Sequence, residues 1–110
     1  MSKIYDLSKI RELSDDDPDF IKAMVDTFVE EIPLDLDQLA IAVVQDNRNQ
    51  VHEYAHKIKP TVDMFGLSCL YDVLILEAWG KSVDQMDIND HFMRVQEELQ
   101  QAVDQLQADF

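Results

Sequence analysis

Three side chains in the middle of the chain have the types and spacing needed for chemistry at a histidine. His56 follows His52 by four residues and precedes Lys59 by three. On a helix, these spacings place all three side chains on one face. A nearby ammonium group lowers the proton affinity of an imidazole and so favours the neutral, nucleophilic ring. The same ammonium group would also donate a hydrogen bond to a phosphoryl oxygen and offset its charge.

The helix predicted to carry these residues turns His56 towards solvent. Between about residues 50 and 65, apolar side chains recur at helical spacing: Val51, Ala55, Ile58, Val62 and Phe65. Because a helix turns roughly 100° per residue, His56 then falls near the middle of the opposite face. Three of the nine lysines and arginines, Arg48, Lys57 and Lys59, lie close to it in the chain. The alternative to a role at His56 is that Lys59 is an ordinary exposed lysine on a solvent-facing side of the helix.

The remaining pattern predicts an all-α fold, namely an antiparallel up-down four-helix bundle with a short extra N-terminal helix. Asp17 and Pro18 are typical of a helix start, and Pro33 should bend or split the helix that follows. Gly66 and Gly80 are predicted to end the next two helices, and Ser68 to cap the second of these. The predicted segments are about 6–13, 18–43, 50–65, 68–80 and 87–106.

Composition narrows the classes of protein to consider. A chain of 110 residues is expected to be one domain, residues 1–110, and its two glycines and three prolines argue against a many-stranded fold. The net charge of −14 disfavours nucleic acid and anionic membrane as partners. Cys69 is the only cysteine, which fits a reducing cytoplasm. No apolar run is long enough for a signal peptide or a membrane span.

The segment Ala55-His56-Lys57-Ile58-Lys59, with Gly66 ten residues after His56, resembles the signature of histidine-containing phosphotransfer (Hpt) domains, Ala-His-x-Leu-Lys-Gly with a later glycine. The segment 28–33, a leucine-bearing helix and an acidic break precede the histidine in the order usual for that family. The resemblance covers nearly the whole chain. It implies that Nε2 of His56 takes a phosphoryl group from a receiver-domain aspartate and gives it to another. It also implies that Lys59 orients the phosphoryl oxygens.

The resemblance implies partners and cofactors as well. The partners would be receiver domains of response regulators and hybrid histidine kinases, and the chain is expected to be a monomer without kinase activity. No intrinsic cofactor or metal is expected, because Mg²⁺ would come from the receiver. His52, Lys57, Pro60 and Met64 are the predicted docking residues. Pro60 replaces the family's glycine and should kink the helix, and Asp63 on the same face would repel a nearby phosphoryl group.

Two other functions remain open from the sequence. His52-Glu53-Tyr54-Ala55-His56 matches the zinc-protease pattern His-Glu-x-x-His, in which histidines four apart can bind one zinc ion. That pattern is short, and a protease would also need a third ligand and a cleft. The other alternative is an acidic helical interaction module without chemistry. The starting Met1 and the length favour a free-standing protein over a piece of a hybrid kinase.

Overall fold

The computed structural model describes residues 3–110, which form five helices and no strand. The helices are α1 (Ser8–Ser14), α2 (Pro18–Val44), α3 (Arg48–Met64), α4 (Leu70–Gly80) and α5 (Asn89–Asp109). The all-α prediction is confirmed. Helix α2 packs against α3 and α5, and α4 packs against the same two helices, so the four long helices enclose one apolar core. None of the helices within residues 3–110 is long and apolar enough to cross a membrane.

The start of α2 and the end of α3 follow from local chemistry. The Asp17 side chain accepts a hydrogen bond from the Asp19 amide at 3.0 Å, and Pro18 occupies the first turn of α2, as predicted. After α3, Gly66 has a φ of +64°, which favours glycine. A Cβ atom at Gly66 would lie 2.8 Å from Cβ of Asp6, so the close approach of the N-terminal segment also requires a glycine there.

Proline does not interrupt the long helices. Pro33 was expected to bend or split the helix that carries it; it lies inside α2, which runs unbroken from Pro18 to Val44, so splitting is wrong. The buried residues Ile32 and Leu36, on either side of the proline, hold α2 in the core. Packing of an apolar face supplies most of a helix's stability in a protein and outweighs one lost hydrogen bond. In the same way, α3 stays helical to Met64 beyond Pro60.

The N-terminus of α4 is capped from another helix. The expectation that Ser68 would cap α4 is wrong, because the cap residue is Cys69 and Ser68 precedes it. The Ser68 hydroxyl instead donates to the carboxylate of Glu98 on α5, at 3.0 and 2.9 Å from its two oxygens. The Cys69 amide also donates to Glu98, at 3.0 Å. A carboxylate thus lies at the positive end of α4, where it is favoured.

The C-terminus of α4 is held by an arginine of α3. The Arg48 guanidinium donates to the carbonyls of Trp79 and Ser82, both at 2.9 Å, and to that of Asp84. Its carbon atom Cζ also lies 4.1 Å from the centre of the Trp79 ring, in a cation–π contact. Basic groups are favoured at this end of a helix because its last carbonyls lack partners. Helix α4 is therefore fixed to its neighbours at both ends.

Gly80 ends α4, as predicted, and allows α3 and α4 to approach closely. A Cβ atom at this position would lie 2.5 Å from Cβ of His52 and 2.6 Å from the carbonyl oxygen of Arg48. Such distances leave no room for a side chain. The backbone of α4 therefore contacts α3 directly, one turn before His56.

Candidate functional site: an exposed histidine between α3 and α4

The His56 ring stands in solvent on the outer face of α3. Its side chain is 66% exposed, whereas Val51, Ala55, Ile58 and Val62 on the opposite face are at most 1% exposed. The exposure predicted from the apolar spacing is confirmed. A ring in this position can be reached by a large partner, such as another protein domain.

A carboxylate of α4 binds both the histidine and the lysine. The Oε2 atom of Glu77 lies 2.6 Å from Nδ1 of His56, and its Oε1 atom accepts from the Lys59 ammonium at 3.0 Å. The Glu77 side chain is only 16% exposed. Burial raises its pKa, but the hydrogen bonds from His56 and Lys59 outweigh that effect and lower the pKa below its usual value. Glu77 is therefore a charged acceptor near neutral pH.

This contact decides which ring nitrogen of His56 is free. Because a carboxylate only accepts hydrogen bonds, the proton of the neutral imidazole resides on Nδ1. Nε2 then carries the lone pair, and the ring can act as a nucleophile through that atom. This role of Glu77 was not predicted from the sequence. The glutamate is 21 residues from His56 in the chain. The only sign of its importance in the sequence is that it is an acidic residue at helical spacing within a largely apolar segment.

His52 lies beside His56 but is held differently. Its Nδ1 atom lies 2.8 Å from the backbone carbonyl of Glu77 and therefore donates to it. The two imidazole rings are stacked, with centroids 5.9 Å apart and planes inclined by 9°. His52 thus flanks the exposed ring and links α3 to the same turn of α4 that carries the carboxylate.

The other two cations near His56 in the chain point elsewhere. Lys57 donates to Asp35 on α2 at 2.8 Å, and this hydrogen bond raises the pKa of Lys57. Arg48 binds the end of α4. Of the three cations noted in the sequence, Lys59 is the one that the structure brings to the carboxylate beside His56.

The exposed histidine, the carboxylate behind it and the lysine one turn later agree with a comparison against known families. A protein-family model for the Hpt domain matches residues 23–109, which is most of the chain. This chain belongs to the Hpt domain family. Comparisons with curated proteins and with solved structures gave no significant match. Hpt domains carry out histidine phosphotransfer in phosphorelays and interact with receiver domains.

A shallow apolar depression adjoins the histidine of this Hpt domain. It has a volume of about 310 Å³ and is lined by Lys59, Pro60, Asp63, Leu70 and Leu74. Asp63, which was expected to repel a phosphoryl group, is paired with Lys9 of α1 at 2.8 Å. Both side chains of this pair are exposed, so the charge of Asp63 faces solvent and Lys9 as well as the depression.

Met64, the other apolar residue predicted to dock a partner, lies in a different depression of the Hpt domain. It is partly buried against the core, and it lines a surface depression of about 320 Å³ together with Lys9, Glu12 and Leu13. The structure therefore separates Met64 from Pro60, although the sequence grouped them.

Among the described residues of the Hpt domain, His52 and His56 have no third side chain beside them that could complete a zinc site. Within residues 3–110, no cluster of three or more histidine, cysteine or acidic side chains is arranged to bind a metal ion. The Nδ1 atoms of His52 and His56 both donate to Glu77, one to its backbone and one to its side chain.

Proposed function

We propose that His56 accepts a phosphoryl group from the aspartyl phosphate of one receiver domain and passes it to the aspartate of another. The observation that carries this proposal is the hydrogen bond between Nδ1 of the exposed His56 and the carboxylate of Glu77, with Lys59 on the same carboxylate. This arrangement leaves the outer nitrogen, Nε2, as the nucleophile.

The transfer would proceed without a proton leaving the ring. The lone pair of Nε2 attacks phosphorus, the N–P bond forms, and the bond between phosphorus and the aspartyl oxygen breaks. The ring becomes positively charged, and the Glu77 carboxylate stabilises that charge. The Lys59 ammonium is bound to the same carboxylate, beside the ring, and from there it can turn to donate a hydrogen bond to the phosphoryl oxygens. The receiver supplies Mg²⁺, and this chain contributes no kinase activity.

The exposed groups around His56 support receivers of response regulators and hybrid histidine kinases as partners. His52 and Pro60 flank the ring on α3, and Leu74 extends an apolar surface onto α4. The Lys57 ammonium is bound to Asp35 on α2 and Met64 lines a separate depression, so both would lie at the edge of a docked receiver. We also propose that the chain works as a cytoplasmic monomer, as one domain, with antiparallel up-down helices.

Incubation of the intact protein with a phosphorylated receiver domain tests the proposal. The wild type should acquire an acid-labile, base-stable phosphoryl group, and His56→Gln should not. His91→Gln is the matched control, since it removes an imidazole from α5 and leaves the contact between Nδ1 of His56 and Glu77 in place. Labelling of His56→Gln at the wild-type rate would overturn the assignment, and an unmodified wild type would favour an interaction module without chemistry.

A further inference from the structure

A second histidine is set in an arrangement that parallels the one around His56. Nδ1 of His91, on α5, lies 2.7 Å from Oδ1 of Asp72 on α4. Arg94, three residues after His91, donates to the same oxygen through Nε at 3.0 Å. Both sites therefore consist of a histidine, a cation one turn later, and a carboxylate of α4 that binds them both.

The contacts fix the proton of His91 in the same way. Nη2 of Arg94 also lies 3.0 Å from Nδ1 of His91, but this guanidinium already donates to Asp72 through Nε. The contact of Nδ1 with the carboxylate oxygen is the shorter of the two, at 2.7 Å, and that oxygen can only accept. We therefore assign the proton to Nδ1, which donates it to Asp72. Nε2 of His91 carries the lone pair, as in His56.

The two histidines differ in how much of the side chain is exposed to solvent. The His91 side chain is 19% exposed, against 66% for His56. A receiver aspartate lies within a folded domain, so a histidine must protrude from its own surface to reach it. A small molecule can react with a histidine of which only one edge of the ring is accessible. The Arg94 side chain, 55% exposed, extends from the buried carboxylate into solvent and can meet an incoming anion.

We infer that His91 is a second phosphoacceptor, which takes its phosphoryl group from a small acyl phosphate rather than from a docked receiver. Nε2 attacks phosphorus, the N–P bond forms, and the P–O bond to the acyl group breaks, so that a carboxylate leaves. No proton is transferred, and the positive charge of the product ring is stabilised by Asp72. The outer nitrogens of Arg94 bind the phosphoryl oxygens.

His52 provides a control within the same molecule. Its Nδ1 also donates a hydrogen bond, but to a backbone carbonyl, and the residue three positions later is Ala55. It therefore has a free Nε2 with neither the carboxylate nor the cation. If the arrangement matters, His91 should react with an acyl phosphate at least about tenfold faster than His52, since one oriented donor is worth that much or more.

The test uses the intact chain carrying His56→Gln, so that His56 cannot contribute. The protein is incubated with acetyl phosphate, and the modified residue is located by tandem mass spectrometry at alkaline pH. We expect one phosphoryl group, on His91. Adding Arg94→Gln should slow its formation about tenfold. Should that variant prove unfolded by circular dichroism, Arg94→Lys, which keeps the charge beside Asp72, replaces it and should slow labelling less.

Absence of label on His91, or equal labelling of His91 and His52, would overturn the inference. The same would follow if neither Arg94 variant changed the rate. Because His56 is absent from this experiment, its outcome is independent of whether His56 exchanges phosphoryl groups with a receiver. Failure of either proposal can therefore be recognised separately.

Discussion

Replacing Glu77 with glutamine tests whether its negative charge assists transfer at His56. The substitution keeps the size of the side chain and one oxygen acceptor but removes the charge that faces the ring. The ring gains a positive charge as the N–P bond forms, so the variant should lose stabilisation of the transition state. The structure gives the separation as 2.6 Å between Nδ1 and Oε2.

The size of this effect follows from the separation and the exposure. Two unit charges about 4 Å apart interact by about 1 kcal/mol in water and about 4 kcal/mol at an effective dielectric constant of 20. His56 is 66% exposed, so solvent screens the pair strongly and the lower end of this range applies. A loss of about 1.4 kcal/mol corresponds to a rate about tenfold lower.

The assay is the rate of transfer from a phosphorylated receiver to Glu77→Gln, measured by rapid quench. Glu53→Gln is the matched control, because Glu53 is an exposed glutamate of α3 whose carboxylate accepts a hydrogen bond from Asn49 and has no contact with His56. Nitrogen-15 shifts of the ring provide a second measurement. The wild type should carry its proton on Nδ1, and Glu77→Gln should shift towards a mixture of tautomers.

Two results would refute this reasoning. If Glu77→Gln transfers at the wild-type rate while the proton remains on Nδ1, the charge of Glu77 contributes nothing to transfer. If Glu77→Gln is faster than wild type, the main effect of Glu77 is to hold Lys59 away from the phosphoryl group. The control Glu53→Gln should change the rate by less than about twofold, because exposed charges contribute little.

Three further predictions follow from other contacts. Gly80→Ala should lower the free energy of unfolding by about 2 kcal/mol in thermal melts, because its Cβ would clash with His52; an unchanged melting temperature would contradict the close helix approach. Lys59→Ala should slow transfer to His56 about tenfold without changing the fold by circular dichroism, and equal rates would exclude a role for the ammonium group. Burial and the hydrogen bond to Asp109 raise the pKa of Tyr5 to about 12, so its stabilising contribution is complete below pH 10 and is lost as the pH rises through 12. Tyr5→Phe should remove that alkaline loss in denaturant titrations, and an unaltered pH profile would argue against the contact.

Local signals in the sequence were sufficient for the helices and for the exposed histidine. Asp17 followed by Pro18 marks the start of α2 by local capping chemistry, and Gly80 marks the end of α4. Likewise, the apolar spacing of α3 determines which face carries His56. Each of these features depends on neighbouring residues, so it can be inferred without knowing how the helices pack.

Features that depend on packing between helices could not be inferred in this way. The cap of α4 comes from Glu98, 29 residues after Cys69, and the carboxylate beside His56 comes from Glu77, 21 residues away. That Pro33 does not split α2 also depends on packing, since burial of Ile32 and Leu36 on either side of it keeps the helix continuous. The partner of Lys57 also lies on another helix, and the sequence spacing alone places that lysine beside His56.

The attachment of α4 at both ends has a consequence for the energetics of the whole cycle. With Glu98 at one end and Arg48 at the other, this helix can neither slide along its axis nor rotate without breaking several hydrogen bonds. The entropy of aligning the Glu77 carboxylate with the His56 ring is therefore lost once, when the chain folds. It is not lost again each time a receiver binds. The chain therefore presents the same oriented pair of His56 and Glu77 to every receiver that docks on it.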